Sequence, residues 1–165
     1  MYGQNALGVS SRTEGVPVSG VYYNRASSLV PASEIGFRAG AGGVSIGLFG
    51  WADEAGNVLN SRTSASDARG LVVIQGGDWR RVFWDEVSCT WKIREGMNLT
   101  MLSGGPGIWV RLANGGAWGQ RIYADPANGR VIAGAAVGLE ATPWALVTPN
   151  GAGGLSFITT WNTPQ

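Results

Sequence analysis

The chain has no histidine among its 165 residues, and a single cysteine, Cys89. It has one lysine, Lys92, against eleven arginines, and only 14% of its side chains are charged. Each shortage excludes something. Histidine is the side chain that changes charge near neutral pH, the commonest general base and the commonest metal ligand. Without it the usual hydrolase triads and Cys/His zinc sites cannot be assembled. One cysteine permits no intrachain disulfide, and the small and apolar residues around Cys89 suggest a buried, slowly reacting thiol. A net charge of +1 argues against a broad basic surface for direct nucleic-acid binding. No charged segment followed by an apolar run opens the chain, so no signal peptide is expected. No apolar run reaches the roughly 18 residues of a membrane helix, and no membrane partner is expected.

What the chain does have is 27 glycines and eight tryptophans, with 44% hydrophobic residues. That apolar share argues against a disordered chain and suffices for one domain with a core. Glycine interrupts every helical window, whereas short runs of period two recur. The clearest span 44–52, 71–75, 79–84, 90–94, 97–102, 108–112, 118–124, 144–148 and 155–161. Turn-forming residues separate them, notably Glu54-Ala55-Gly56-Asn57, Asp125-Pro126-Ala127-Asn128-Gly129 and Asn150-Gly151-Ala152-Gly153-Gly154. The pattern predicts an all-β fold, a small β-barrel or β-sandwich of short antiparallel strands over residues 34–165. Residues 1–33 read differently. They mix Gly, Ser, Asn and Pro with isolated apolar residues, and only Val16–Tyr23 is strand-like. This segment is either an extended irregular N-terminal arm that orders on a partner or an irregular first strand with loops.

Motifs for chemistry fail in context. Gly43-Val44-Ser45-Ile46-Gly47 fits the nucleophile-elbow pattern, but no histidine exists to take the serine proton and the chain continues as strand. Ser45 therefore reads as an ordinary strand serine. The acidic pairs Asp53/Glu54 and Asp85/Glu86 are sequence neighbours, which point to opposite faces of a strand. They do not by themselves make a glycosidase dyad. The expectation is a protein that is not an enzyme, with no catalytic residues, no cofactor and no metal. Most of the tryptophans are expected to fill the core or subunit interfaces. Arginine excess fits protein interfaces, where arginine is enriched and lysine depleted, although high GC content in the coding DNA would produce it too.

Several segments carry a family likeness. They are Trp91-Lys92-Ile93-Arg94-Glu95-Gly96-Met97, then Gly115-Gly116-Ala117-Trp118-Gly119-Gln120-Arg121-Ile122-Tyr123-Ala124-Asp125 followed by Asn128-Gly129. Ala141-Thr142-Pro143-Trp144 follows, and Gly153-Gly154-Leu155-Ser156-Phe157-Ile158-Thr159-Thr160-Trp161 closes the series. Over about 71–161 the chain resembles the head cement, or decoration, proteins of tailed bacteriophages. The resemblance rests on β-hairpin patterns and transfers no catalytic residue. It implies a β-rich virion protein, often trimeric, that sits on the outer capsid surface and clamps neighbouring major capsid subunits. The expected partners are the major capsid protein and other copies of the chain in a homotrimer. Synthesis in the host cytoplasm and localisation in the virion would follow. The residues expected at protein contacts are Tyr2, Arg12, Tyr22, Tyr23 and Arg25 in the N-terminal segment, and Trp79, Arg81 and Trp84 in a run with aromatics and arginines on both faces. The competing expectation is a β-rich tail or fibre module that binds host glycan through exposed tryptophans.

Overall fold

The computed structural model describes residues 27–28, 36–73, 79–105 and 107–160. The expected all-β class holds: fourteen strands and one 3₁₀ turn account for the regular structure among the described residues, with no α-helix. They form three sheets. The six-stranded sheet has the order β1-β9-β6-β4-β5-β2. Its strands are Ser27–Ser28 (β1), Thr100–Gly104 (β9), Ala68–Val73 (β6), Phe49–Ala52 (β4), Asn57–Leu59 (β5) and Arg38–Ala39 (β2). All its pairs are antiparallel except the edge pair of β2 with β5. The five-stranded sheet runs β10-β14-β13-β11-β12, from Ile108–Arg111 (β10), Leu155–Thr159 (β14), Glu140–Thr148 (β13), Arg121–Ala124 (β11) and Val131–Ala133 (β12). Val44–Ser45 (β3), Thr90–Ile93 (β8) and Val82–Asp85 (β7) make the third sheet, with β8 in the middle.

The six-stranded sheet lies between the other two, and its sequence shows why. Leu71, Val72 and Val73 of β6 are all fully buried. Leu71 and Val73 join a core with Phe49, Trp51 and Leu102 of the same sheet and Ile108, Ile122, Trp144 and Ile158 of the five-stranded sheet. Val72 points the other way, into a second core with Met101, Val58, Val44, Val82 and Ile93. A continuous apolar run is what a strand covered on both faces requires.

The five-stranded sheet curls into a half-barrel. Its two edges meet where Leu112, just past β10, bridges Val131 of β12 in parallel, and the Ala113 N–H donates to Val131 O at 2.9 Å. In β13 the proline problem is solved locally. Pro143 has no N–H for the ladder, and the pairing with β11 is irregular there. The buried Thr142 hydroxyl donates instead to Ile122 O at 2.7 Å, and it accepts the Trp144 N–H at 3.2 Å. The half-barrel is tied to the central sheet through the β11–β12 turn: Phe49 N–H donates to Gly129 O, and Arg62 N–H to Pro126 O, both at 2.8 Å.

Several expected strands are shorter or broken. The run at 44–52 splits into β3 and β4, because Gly47 adopts φ 80° in a turn between them. Asn60 then bridges the gap, accepting Ser45 N–H at 2.7 Å and donating to Phe49 O at 3.0 Å. The run at 79–84 begins with the 3₁₀ turn Trp79–Arg81 and becomes strand only at Val82. The two-faced alternation expected there therefore applies only from Val82 onward. Trp118 lies in a turn, and its strand starts at Arg121. Residues 1–26 and 29–35, hence most of the expected arm and the Val16–Tyr23 strand, lie outside the described residues.

Candidate functional site: the aromatic hairpin

β7 and β8 form a hairpin in which Trp84 faces Trp91 and Asp85 faces Thr90. Period two divides its side chains between two faces. Val82, Trp84, Trp91 and Ile93 share one face with Val44 of β3. At one end of this face Val82, Ile93 and Val44 are buried against the central sheet. At the other end the same face leaves the core, and Trp84 and Trp91 remain 47% and 42% exposed. Their rings meet edge to face, with centroids 5.4 Å apart and planes at 69°. Such pairs add about 1 kcal/mol to the burial they provide, so the hairpin presents a rigid aromatic surface. Val87 at the tip is fully exposed.

The opposite face is polar and braced. Lys92 Nζ pairs with Asp85 Oδ2 at 2.8 Å, and the Ser88 hydroxyl donates to the same oxygen at 2.7 Å. These contacts, Lys92 first, hold the Asp85 carboxyl down at a pKa of about 2. Farther along, the Arg94 guanidinium lies over the Phe83 ring, 5.3 Å from its centroid.

Cys89 corrects an expectation. It is exposed, at the last position of the loop 86–89, with φ 52°. A four-residue hairpin loop needs a left-handed residue to return the chain to the second strand. That geometry turns Cys89 outward, and its Sγ donates to Glu86 O at 3.4 Å.

Of the residues expected at contacts, Tyr2, Arg12, Tyr22, Tyr23 and Arg25 lie outside the described residues. Trp79 opens the 3₁₀ turn that leads into the hairpin, and Arg81 closes it, exposed and with its carbonyl accepting the Arg94 N–H at 2.8 Å. Trp84 is on the hairpin. Sequence reasoning did not single out Trp91 or Val87; only the register that pairs Trp84 with Trp91 reveals them. The expected core role of the tryptophans holds for Trp51 and Trp144, whereas Trp84, Trp91 and Trp118 are exposed in the monomer. Ser45 is a buried strand serine whose hydroxyl meets the Thr90 hydroxyl at 3.0 Å, in agreement with its reading. The first acid of each pair braces a turn: Asp53 accepts the Asn57 side-chain amide at 3.0 Å and the Asn57 N–H at 2.8 Å, and these contacts, the side chain first, lower its pKa.

The model of the XM1 gp53 minor capsid protein family matches residues 17–160. The chain belongs to that family. It is thus a capsid-associated structural protein of a bacteriophage virion, and the family implies a non-enzymatic role. The fold agrees with a solved chain from the capsid of Myoviridae phage XM1, with a TM-score of 0.59 and 13% sequence identity, over 92% of this chain and 95% of that one. No curated protein matches.

Proposed function

We propose that this minor capsid protein is a cement protein. It binds the outside of the assembled head and clamps neighbouring major capsid subunits. The observation that carries the reading is the family match combined with the Trp84/Trp91 surface on a braced hairpin. Interface hot spots are enriched in tryptophan and arginine, and Arg81 and Trp79 lie at the base of the same hairpin. The N-terminal segment, with Tyr2, Arg12, Tyr22, Tyr23 and Arg25, supplies a second contact along the lattice. A homotrimer would multiply weak contacts through effective concentration. Synthesis takes place in the host cytoplasm before attachment to the capsid surface.

The glycan-binding alternative fits the hairpin less well. A sugar platform uses open, roughly coplanar ring faces, whereas here one face is covered by the other ring's edge and the two planes stand at 69°. The test is titration of purified protein onto undecorated expanded heads. Cement action predicts saturable binding in lattice-wide copy number and greater resistance to heat, because a ligand that binds only the assembled lattice stabilises it by RT ln(1 + [L]/Kd). Trp84→Ala should weaken that binding, and deletion of residues 1–12 should weaken it while leaving the domain folded. Heads that lose DNA at the same temperature with and without the protein, and without saturable binding, overturn the reading in favour of the glycan one.

A further inference from the structure

An open cleft of about 800 Å³ lies between the polar face of the hairpin and the seam of the half-barrel. Thr90, Lys92 and the loop 87–89 form one wall; Arg111, Asn128 and Arg130 line the other. Leu48, Leu59 and Val87 contribute apolar lining. Among the described residues that line it there are three cations and no Asp or Glu. Lys92 is already neutralised by Asp85, which does not line the cleft.

The two arginines are placed together by the seam. Leu112 and Val131 are bridged in parallel and both are buried. Arg111 and Arg130 each precede a bridged residue, so alternation sends both side chains outward on the same side. Both are exposed. Arg111 spends one N–H on Gly153 O at 2.9 Å, which leaves most of its five donors open. The described lining supplies no carboxylate to either guanidinium.

We infer that this cleft receives an extended acidic segment of a capsid protein, with the Arg111 and Arg130 guanidiniums binding its carboxylates. Guanidinium forks bind carboxylates through two parallel hydrogen bonds. Apolar lining and hydroxyl groups suit a peptide that alternates acidic and small apolar residues. Nucleic acid is disfavoured, since tracking a phosphate backbone takes a longer run of cations than two arginines. The inference rests on the cement reading and specifies one of its contacts.

The test uses the full chain and its single cysteine, which lines the cleft. The double variant Arg111→Gln/Arg130→Gln should unfold like the wild type, since both side chains are exposed. It should bind undecorated heads about tenfold more weakly or worse, the effect of losing a charge-assisted hydrogen bond. Arg121→Gln, at an exposed position at the start of β11, should bind normally. Maleimide labelling of Cys89 should slow when the wild type is on heads. A Glu-rich synthetic peptide should quench a fluorophore on Cys89 in the wild type and not in the double variant. If the wild type binds heads but the double variant binds equally and Cys89 stays fully reactive, the cleft inference falls and the cement reading stands. Should the wild type not bind heads at all, the cement reading falls, and the peptide arm decides the cleft by itself. Tighter binding of an oligonucleotide than of the acidic peptide would overturn the assignment.

Discussion

Arg69 on β6 and Glu140 at the start of β13 are joined at 2.7 Å across the boundary between the central sheet and the half-barrel. Glu140 also takes Arg62 through its other oxygen, and it accepts the indole N–H of buried Trp51 at 3.4 Å. One carboxylate thus serves three donors at the rim of the larger core. Glu140→Ala would leave Arg69 and the Trp51 indole short of an acceptor. Leaving partly buried donors unsatisfied costs about 1–3 kcal/mol, so the variant should lose about 2 kcal/mol in urea denaturation. Glu140→Gln, which keeps an acceptor oxygen, should lose less.

Gly129 and Gly138 separate two effects that a single alanine substitution usually mixes. Both have positive φ, 74° and 86°. A Cβ at Gly138 would meet nothing within 4 Å, whereas at Gly129 it would lie 2.2 Å from Phe49 O. Gly138→Ala should therefore cost only the backbone strain, about 1 kcal/mol. Gly129→Ala should cost distinctly more, since the β11–β12 turn must withdraw from Phe49 and lose the bond between Phe49 N–H and Gly129 O. Thermal denaturation of the two variants side by side checks the difference.

The hairpin turns were legible because their side chains do local work. Asp125 accepts the Ala127 N–H at 2.9 Å and Asn128 the Arg130 N–H at 3.0 Å, within the turn itself. The doubly buried strand was visible too, as the run Leu71-Val72-Val73. What the sequence hides is register and sheet membership. Trp84 and Trp91 become one surface only through β7–β8 pairing, and their exposure depends on where that hairpin leaves the central sheet. Arg111 and Arg130 become neighbours only through the bridge that closes the half-barrel. Cys89 was misjudged because its neighbours were read for polarity and not for the turn they form.

Ser156 on β14 is completely buried, and its hydroxyl has no hydrogen-bond partner. It faces Val110 across the β10–β14 ladder. A buried unsatisfied hydroxyl is a cost that alanine removes at the loss of one atom. Ser156→Ala should be neutral or more stable by about 1 kcal/mol, read as a raised denaturation midpoint with an unchanged slope.

Asp85 gives the hairpin a pH dependence of defined sign. Its pKa is lowered from 3.8 to about 2, first by Lys92 and then by Ser88. A carboxyl with a depressed pKa in the folded state contributes stability above its unfolded pKa and loses it as pH falls through the folded one. The polar face of the hairpin should therefore hold at pH 5 and loosen progressively between about pH 4 and pH 2. Tryptophan fluorescence should report the change, since Trp84 and Trp91 adjoin Asp85 and Thr90. Asp85→Asn should abolish the local acid transition, and a transition that persists in that variant would assign it elsewhere.

Cys89 offers the sharpest check on the hairpin loop. Its φ of 52° is the left-handed conformation that glycine adopts without a Cβ penalty. Cys89→Gly removes that penalty but also enlarges the freedom of the unfolded chain, and the two effects oppose each other. Left-handed strain in a residue with a Cβ amounts to about 1–2 kcal/mol, whereas the entropy lost on ordering glycine exceeds that of a substituted residue by about 0.5–1 kcal/mol. The strain term is the larger, so Cys89→Gly should be slightly more stable. Cys89→Val, whose β-branch tolerates positive φ poorly, should be clearly less stable. In the free protein the thiol should react with maleimide at the rate of an unhindered cysteine, because it is exposed. Slow labelling, or a glycine variant less stable than the valine one, would show that the loop does not turn at this residue.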